Sequence, residues 1–282
     1  MNSKTIQILL AILCIQISTL GSTVILNEYN AVADEDQIDE GNGADHFFGT
    51  IDGNGGDWLE LVVVGDGTAG STVDMRGWTI ELYENNDGAS SFKLSQDAYW
   101  AAVPAGTILT FIENDTAGGG LDTEVNREDR LNSEGWAWTN VYLGDATLID
   151  TNNSDSDIHL SHSDAEITIN NASASVIFGP AGEAIADEGV NSEEVLALQV
   201  NPSTAIIPAD PGFNDISSSS FGAPNDLEGG SGSQSFLAFR IAGPAPSFST
   251  PIANAEILTG EEFTTSTTAT DANGGALSIT LA

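Results

Sequence analysis

Apolar and polar residues alternate with a period of two through most of the chain, the pattern of half-buried β-strands. It is clear in VILNEYNAV (24–32), DWLELVVV (57–64), GWTIELYE (77–84), TILTFIE (107–113), NVYLG (140–144), DIHLS (157–161), EITIN (166–170) and SVIFG (175–179). In 57–64 it sets Leu59, Leu61 and Val63 on one face and Trp58, Glu60 and Val62 on the other. Trp78, Ile80 and Leu82 share a face in 77–84, which marks Trp78 as a core residue. Gly, Pro, Asn, Asp or Ser bounds each stretch, and no long segment repeats at 3.6 residues. NSEEVLALQV (191–200) fits either a helical turn or a strand and is read as a short turn feeding a strand. Many short strands separated by turn residues predict an all-β, antiparallel sandwich. Two long loops interrupt it, at 33–57 and 115–134.

Composition adds location. The chain has 282 residues, with 6 Lys plus Arg against 42 Asp plus Glu, a formal charge of −36. Such a field repels phosphate backbones and anionic lipid, which argues against direct nucleic-acid binding, and it attracts divalent cations. The first residues, MNSKTIQILLAILCIQISTLGST, place one lysine before a short apolar run and small residues, the layout of a secretory signal peptide over 1–22. The run is too short for a membrane span, so no transmembrane segment is expected in the mature chain. The single cysteine, Cys14, lies inside that run, leaving a mature chain without disulfides. With the charge, this points to an exported bacterial protein, secreted or at the cell surface.

The residues that could carry catalysis are few. His159 and His162 are three apart, so on a strand they face opposite sides and do not share a metal. The serine-rich ISSSSFG (216–222) lacks a nucleophile elbow and reads as a turn. Any glutamate pair chosen from 42 acids is uninformative. Glu28 and Glu60 stand apart as acids within apolar strands, where a carboxyl must find donors or shift its pKa, and a hydrogen-bonding role is expected for both. Three Asp/Asn-rich, Gly-containing loops read either as solvated acidic surface or as calcium sites. The calcium candidates are Asp34, Asp36, Asp39, Asp52, Asn54, Asp57, Asp150, Asn152, Asp155 and Asp157. None has EF-hand spacing. Trp136 and Trp138 border a long loop and are candidates for an exposed contact.

Taken together, VILNEYNAV, GGDWLELVVVG, VDMRGWTIEL and VPAGTIL, followed by VIFGPAGE, NSEEVLALQVNPS and SSFGAPN, resemble the lamin-tail domain of exported bacterial proteins. The resemblance spans 23–226. It implies an immunoglobulin-like sandwich with insertions at 33–57 and 115–155, and a structural role for Glu28 and Glu60. DLEGGSGSQ begins a flexible linker, 227–250, with a further strand expected at 235–243. The stretch 251–282, with ATDANGGALSITL, resembles the opening of a cadherin-like or immunoglobulin-like repeat, an incomplete second β domain. The implied function is a non-catalytic binding or scaffold module, with a protein or polysaccharide partner at the cell surface. The alternative is an accessory domain of a secreted nuclease or other hydrolase whose catalytic domain lies beyond residue 282.

Overall fold

The computed structural model describes residues 21–240 apart from 34–35, 46–48, 52, 85–87, 113–128, 132–136, 156–157 and 159, together with 247–248 and 269–270. Eleven strands form the main body: β1 (Val24–Asn30), β2 (Trp58–Val63), β3 (Thr79–Glu84), β4 (Gly88–Lys93), β5 (Thr107–Ile112), β6 (Asp129–Leu131), β7 (Ala137–Tyr142), β8 (Glu166–Asn170), β9 (Val176–Ala181), β10 (Val195–Leu198) and β11 (Phe213–Ile216). A four-residue helix, α1 (Glu183–Ala186), follows β9. The fold is an all-β sandwich of a seven-stranded sheet, ordered β6-β7-β5-β2-β1-β10-β11, and a four-stranded sheet, ordered β9-β8-β3-β4.

The core between the sheets follows from the alternating residues. Leu59, Leu61 and Val63 of β2 lie across from Phe111, Leu109 and neighbouring positions of β5 and from Tyr29, Leu26 and Val24 of β1. Phe92 of β4 meets Phe111 at 4.9 Å between ring centroids, joining the two sheets. Trp100 stacks near Phe111 and donates its indole N–H to the Leu148 carbonyl at 2.8 Å, so its one polar atom is satisfied. Trp78, Ile80 and Leu82 are buried in the same core, as their shared face predicts.

One departure from simple alternation shapes the molecule. The β1–β2 register shifts between Leu26 and Glu28. Leu26 pairs with Leu61 on the inner face, whereas Glu28 pairs with Glu60, whose side chain points the opposite way. Without the shift, Leu26 and Glu28 would share a face. The extra residue of this bulge is Asn27, and it turns Glu28 out of the inter-sheet core. All seven residues of β1 and all six of β2 are buried, because chain from 219 to 239 covers the outer face of the seven-stranded sheet. One solvated face, the usual outcome of alternation, is absent from these two strands.

Several expectations are corrected. The sheet is mixed: β5 and β7 run parallel over six register pairs. The 24 residues between them (113–136) are enough chain for the crossover that a parallel pair needs. In the stretch expected as a strand at 157–161, Ile158 and Leu160 are buried in irregular chain, and Asp157 and His159 lie outside the described residues. Within the strand expected at 235–243, Leu237–Phe239 is a short 3-10 helix, and 241–243 lie outside the described residues. The segment expected as a free linker contributes Gln234, Phe236 and Phe239 to the buried interior. Trp138, expected to be exposed, is 3% exposed; Trp136 lies outside the described residues.

The open edge of the four-stranded sheet is closed by the 150–155 loop. Ser91 donates its backbone N–H to Asp155 Oδ2 at 2.7 Å, and the Asp155 N–H donates back to the Ser91 carbonyl at 2.8 Å. Lys93 repeats the pattern, donating its N–H to Ser154 Oγ at 2.9 Å and accepting from the Asp150 N–H at 2.8 Å. Edge groups that would template another strand are thereby satisfied.

No helix among the described residues is long and apolar enough to cross a membrane. The signal-peptide expectation, apart from positions 21–22, and nearly all of 251–282 lie outside the described residues. Ser247 and Phe248 pair with Thr270 and Ala269.

Candidate functional site

The outer face of the seven-stranded sheet carries a row of polar side chains where an apolar layer would be ordinary. Register places Ala197, Glu28, Glu60, Thr110 and Asn140 side by side across five strands. Both carboxyls are 0% exposed. Apolar flanks complete the face: Trp58 next along β2 and Trp138 next along β7.

The loop 219–225 seals this row. Phe221 inserts between the two indoles, edge-to-face on Trp58 at 5.1 Å and on Trp138 at 5.8 Å. Gly222 has φ +71, a left-handed conformation, and a Cβ there would collide with the Trp138 ring. Glycine therefore lets the loop backbone lie against the indole. The Trp138 indole N–H donates to Thr110 Oγ1 at 2.9 Å, and Thr110 donates to Asn140 Oδ1 at 2.7 Å.

Each acid takes donors from this loop. Glu60 Oε2 accepts the Gly222 N–H at 2.8 Å, and its Oε1 accepts Asn27 Nδ2 at 2.6 Å. Glu28 Oε1 accepts the Ser220 N–H at 3.0 Å, and its Oε2 lies 2.5 Å from the Ser220 hydroxyl. A third acid, Asp45, accepts from the Ser219 hydroxyl. Amides tie the layer together. Asn225 donates from Nδ2 to the Asn27 and Leu198 carbonyls, at 3.0 and 3.1 Å. Its Oδ1 accepts Asn27 Nδ2 at 3.1 Å and lies 2.8 Å from the Ser220 hydroxyl. Gln234 donates from Nε2 to Asn27 Oδ1 at 2.9 Å and to the Leu198 carbonyl at 2.7 Å.

Burial pushes Glu28 up to about 8, with the nearby Asp45 charge adding to the rise and the Ser220 bonds opposing it. Glu60 is also held well above the ordinary carboxyl range, by burial first and then by Glu28. The two sit directly opposite each other on adjacent strands, where two negative charges are unfavourable. Chemically, the arrangement can hold and exchange a proton. With both carboxyls covered, they meet no dissolved substrate while the loop is in place.

The calcium candidates are distributed differently. Asn54 donates to the Val32 carbonyl at 3.4 Å and accepts the Gly56 N–H at 3.1 Å, tying its loop to the end of β1. Asp155 is engaged at the β4 edge, and Asp150 Oδ2 accepts from Asn153 at 2.8 Å in the same loop. Asn152 is exposed in that turn. Asp57 immediately precedes β2. Asp36 and Asp39 gather with Glu40 and Glu194 around Glu193, whose pKa is raised by burial and then by those charges. Asp34, Asp52 and Asp157 lie outside the described residues, as does His159; His162 is half-buried in a turn. Among the described residues, no three of His, Cys, Asp and Glu are grouped to hold a metal ion.

Sequence reasoning singled out Glu28 and Glu60 but missed their partners. Ser219, Ser220 and Asn225 lie in the stretch read as a closing turn, and Gln234 in the one read as linker. A second feature, a groove of about 330 Å³ on the outer face of the four-stranded sheet, also went unread. Glu81, Tyr83, Glu166 and Thr168 line it, and Tyr83 is 44% exposed. No model of a known protein family matches the chain, and no curated protein matches it.

Proposed function

We propose that this chain is a non-catalytic binding or scaffold module of a secreted or cell-surface protein, of the immunoglobulin-like, lamin-tail type. The observation that carries this reading is the sealing of Glu28 and Glu60. The two buried acids with raised pKa are fully covered and bonded to a loop of the same chain. In catalytic sites, perturbed carboxyls line a cleft that substrate can enter. Here they join two distant parts of the chain, which is a structural use. The signal-like N-terminus and the −36 charge support export, and the ordered lamin-tail-like motifs support the family reading.

The open surface suited to a partner is the groove around Tyr83. A half-exposed tyrosine between Glu81 and Glu166 offers an apolar plane with acceptors at its rim, suited to sugar hydroxyls or to a protein side chain. Two assays test the reading together. The purified chain is incubated with DNA, a phosphomonoester and soluble glycans to detect turnover, alongside Glu60→Gln. It is also co-sedimented with insoluble cell-surface polysaccharide, alongside Tyr83→Ala. The expected result is no turnover that depends on Glu60, and retention weakened by Tyr83→Ala. Turnover lost in a Glu60→Gln variant with unchanged melting temperature would make the buried acids catalytic and overturn the proposal.

A further inference from the structure

The Ser220 hydroxyl poses a problem of proton counting. It has one hydrogen, yet two oxygens lie within bonding distance, Glu28 Oε2 at 2.5 Å and Asn225 Oδ1 at 2.8 Å. Asn225 cannot turn its amide around, because its Nδ2 donates to two backbone carbonyls. If Ser220 donates to Glu28, its oxygen faces Asn225 Oδ1 with no hydrogen between them. A proton on Glu28 Oε2 resolves the conflict: Glu28 donates to Ser220, and Ser220 donates to Asn225. Glu60 differs, since each of its oxygens accepts an N–H. The geometry therefore places a proton on Glu28.

We infer that the seating of loop 219–225 on the seven-stranded sheet is a proton-dependent latch, closed while Glu28 is protonated and loosened when it ionises, exposing Trp58 and Trp138. Ionising Glu28 puts a negative charge directly opposite Glu60 in a space closed to water. It also removes the donor that fixes Ser220, the residue holding the loop to β1. Among the described side chains, those facing the pair are acidic or neutral. The Asp45 charge raises both carboxyls further. The loop supplies only Ser, Phe, Gly, Ala, Pro and Asn. Neighbouring strands present Ala197 and Thr110, and the covering segment presents Gln234. Arg130 stands opposite Trp138 in register, three strands away from β2. The raised position of Glu28, about 8, puts the transition near neutral pH.

Acrylamide quenching of tryptophan fluorescence reads the latch, since this neutral quencher is not repelled by the acidic surface. For wild type, quenching is expected to rise between about pH 6 and pH 9, with its midpoint near the raised Glu28 value. Glu28→Gln keeps an acceptor toward the Ser220 N–H and a donor toward its hydroxyl, so its quenching is expected to stay low throughout. A flat wild-type profile, or a Glu28→Gln profile that rises like wild type, would overturn the inference. A second measurement needs no variant: carbon-13 NMR of the Glu side-chain carboxyls in wild type. One carboxyl titrating well above pH 6 is expected. If every glutamate titrates in the ordinary carboxylate range near pH 4 to 5, the latch has no proton to lose.

Discussion

Asn225 shows how much one buried side chain can join. It is 0% exposed and bonds to Asn27, Leu198 and Ser220, linking β1, β10 and the covering loop. Asn225→Ala would take a partner from the Asn27 and Leu198 carbonyls, the Asn27 amide and the Ser220 hydroxyl, of which Leu198 keeps Gln234 and the Asn27 amide keeps Glu60. Unsatisfied buried groups cost roughly 1–3 kcal/mol each, so a loss of about 3 kcal/mol is expected in urea denaturation. A loss below about 1 kcal/mol would mean that water replaces the amide without strain. Gly222→Ala tests the loop by shape alone. It combines a left-handed φ with a collision against Trp138, and about 1–3 kcal/mol of destabilisation with an altered near-ultraviolet tryptophan band is expected. Trp78→Ala removes a wedge from the inter-sheet core, where a fully buried tryptophan is worth about 3–5 kcal/mol.

At the level of elements, the bulge at Asn27 and the two covering segments explain what was legible in the sequence. Period-two alternation located β1, β2, β3, β5, β8 and β9 because strands that face a core on one side select that pattern. It did not locate β4 or β11, GASSFK and FNDI, whose few large apolar residues, Phe92 in one and Phe213 and Ile216 in the other, do not recur at every second position. The anomaly of Glu28 and Glu60 was visible as acids within apolar strands. Their role was not, because Ser220 is 192 residues from Glu28 and Gln234 is 207 residues from Asn27. Pairings across such distances leave no local periodicity, and a single bulge reverses which face a residue takes. Trp138 was misread for the same reason: the loop that buries it comes some 80 residues later. The 150–155 loop carries its own prediction. Asp155→Ala frees the Ser91 N–H at the β4 edge. It should lower the melting temperature by a few degrees, roughly a 1 kcal/mol effect, and speed amide exchange at Ser91 while that at Ile80 in β3 stays slow.

Across the whole molecule, −36 sets the background for every pH effect. Acidification relieves general repulsion among surface carboxylates and so stabilises the fold regardless of the latch. Glu28 adds a term with the same sign. Its folded pKa, about 8, lies above the unfolded value near 4.5, so the folded chain binds its proton more tightly. Stability from this group is full below the unfolded value and is lost as pH rises through the folded value, at up to about 1.4 kcal/mol per pH unit. Salt separates the two terms in part, since screening reaches surface charges and not the sealed pair. Substitution separates them fully. The most direct measurement is therefore the unfolding free energy of wild type and Glu28→Gln, from pH 5 to pH 9 at one ionic strength. The two curves are expected to lie close together at pH 5 and to diverge steadily above it, with Glu28→Gln the more stable protein at pH 8. Parallel curves, or a variant that is less stable at pH 8 than wild type, would contradict a loop held down through a proton on Glu28.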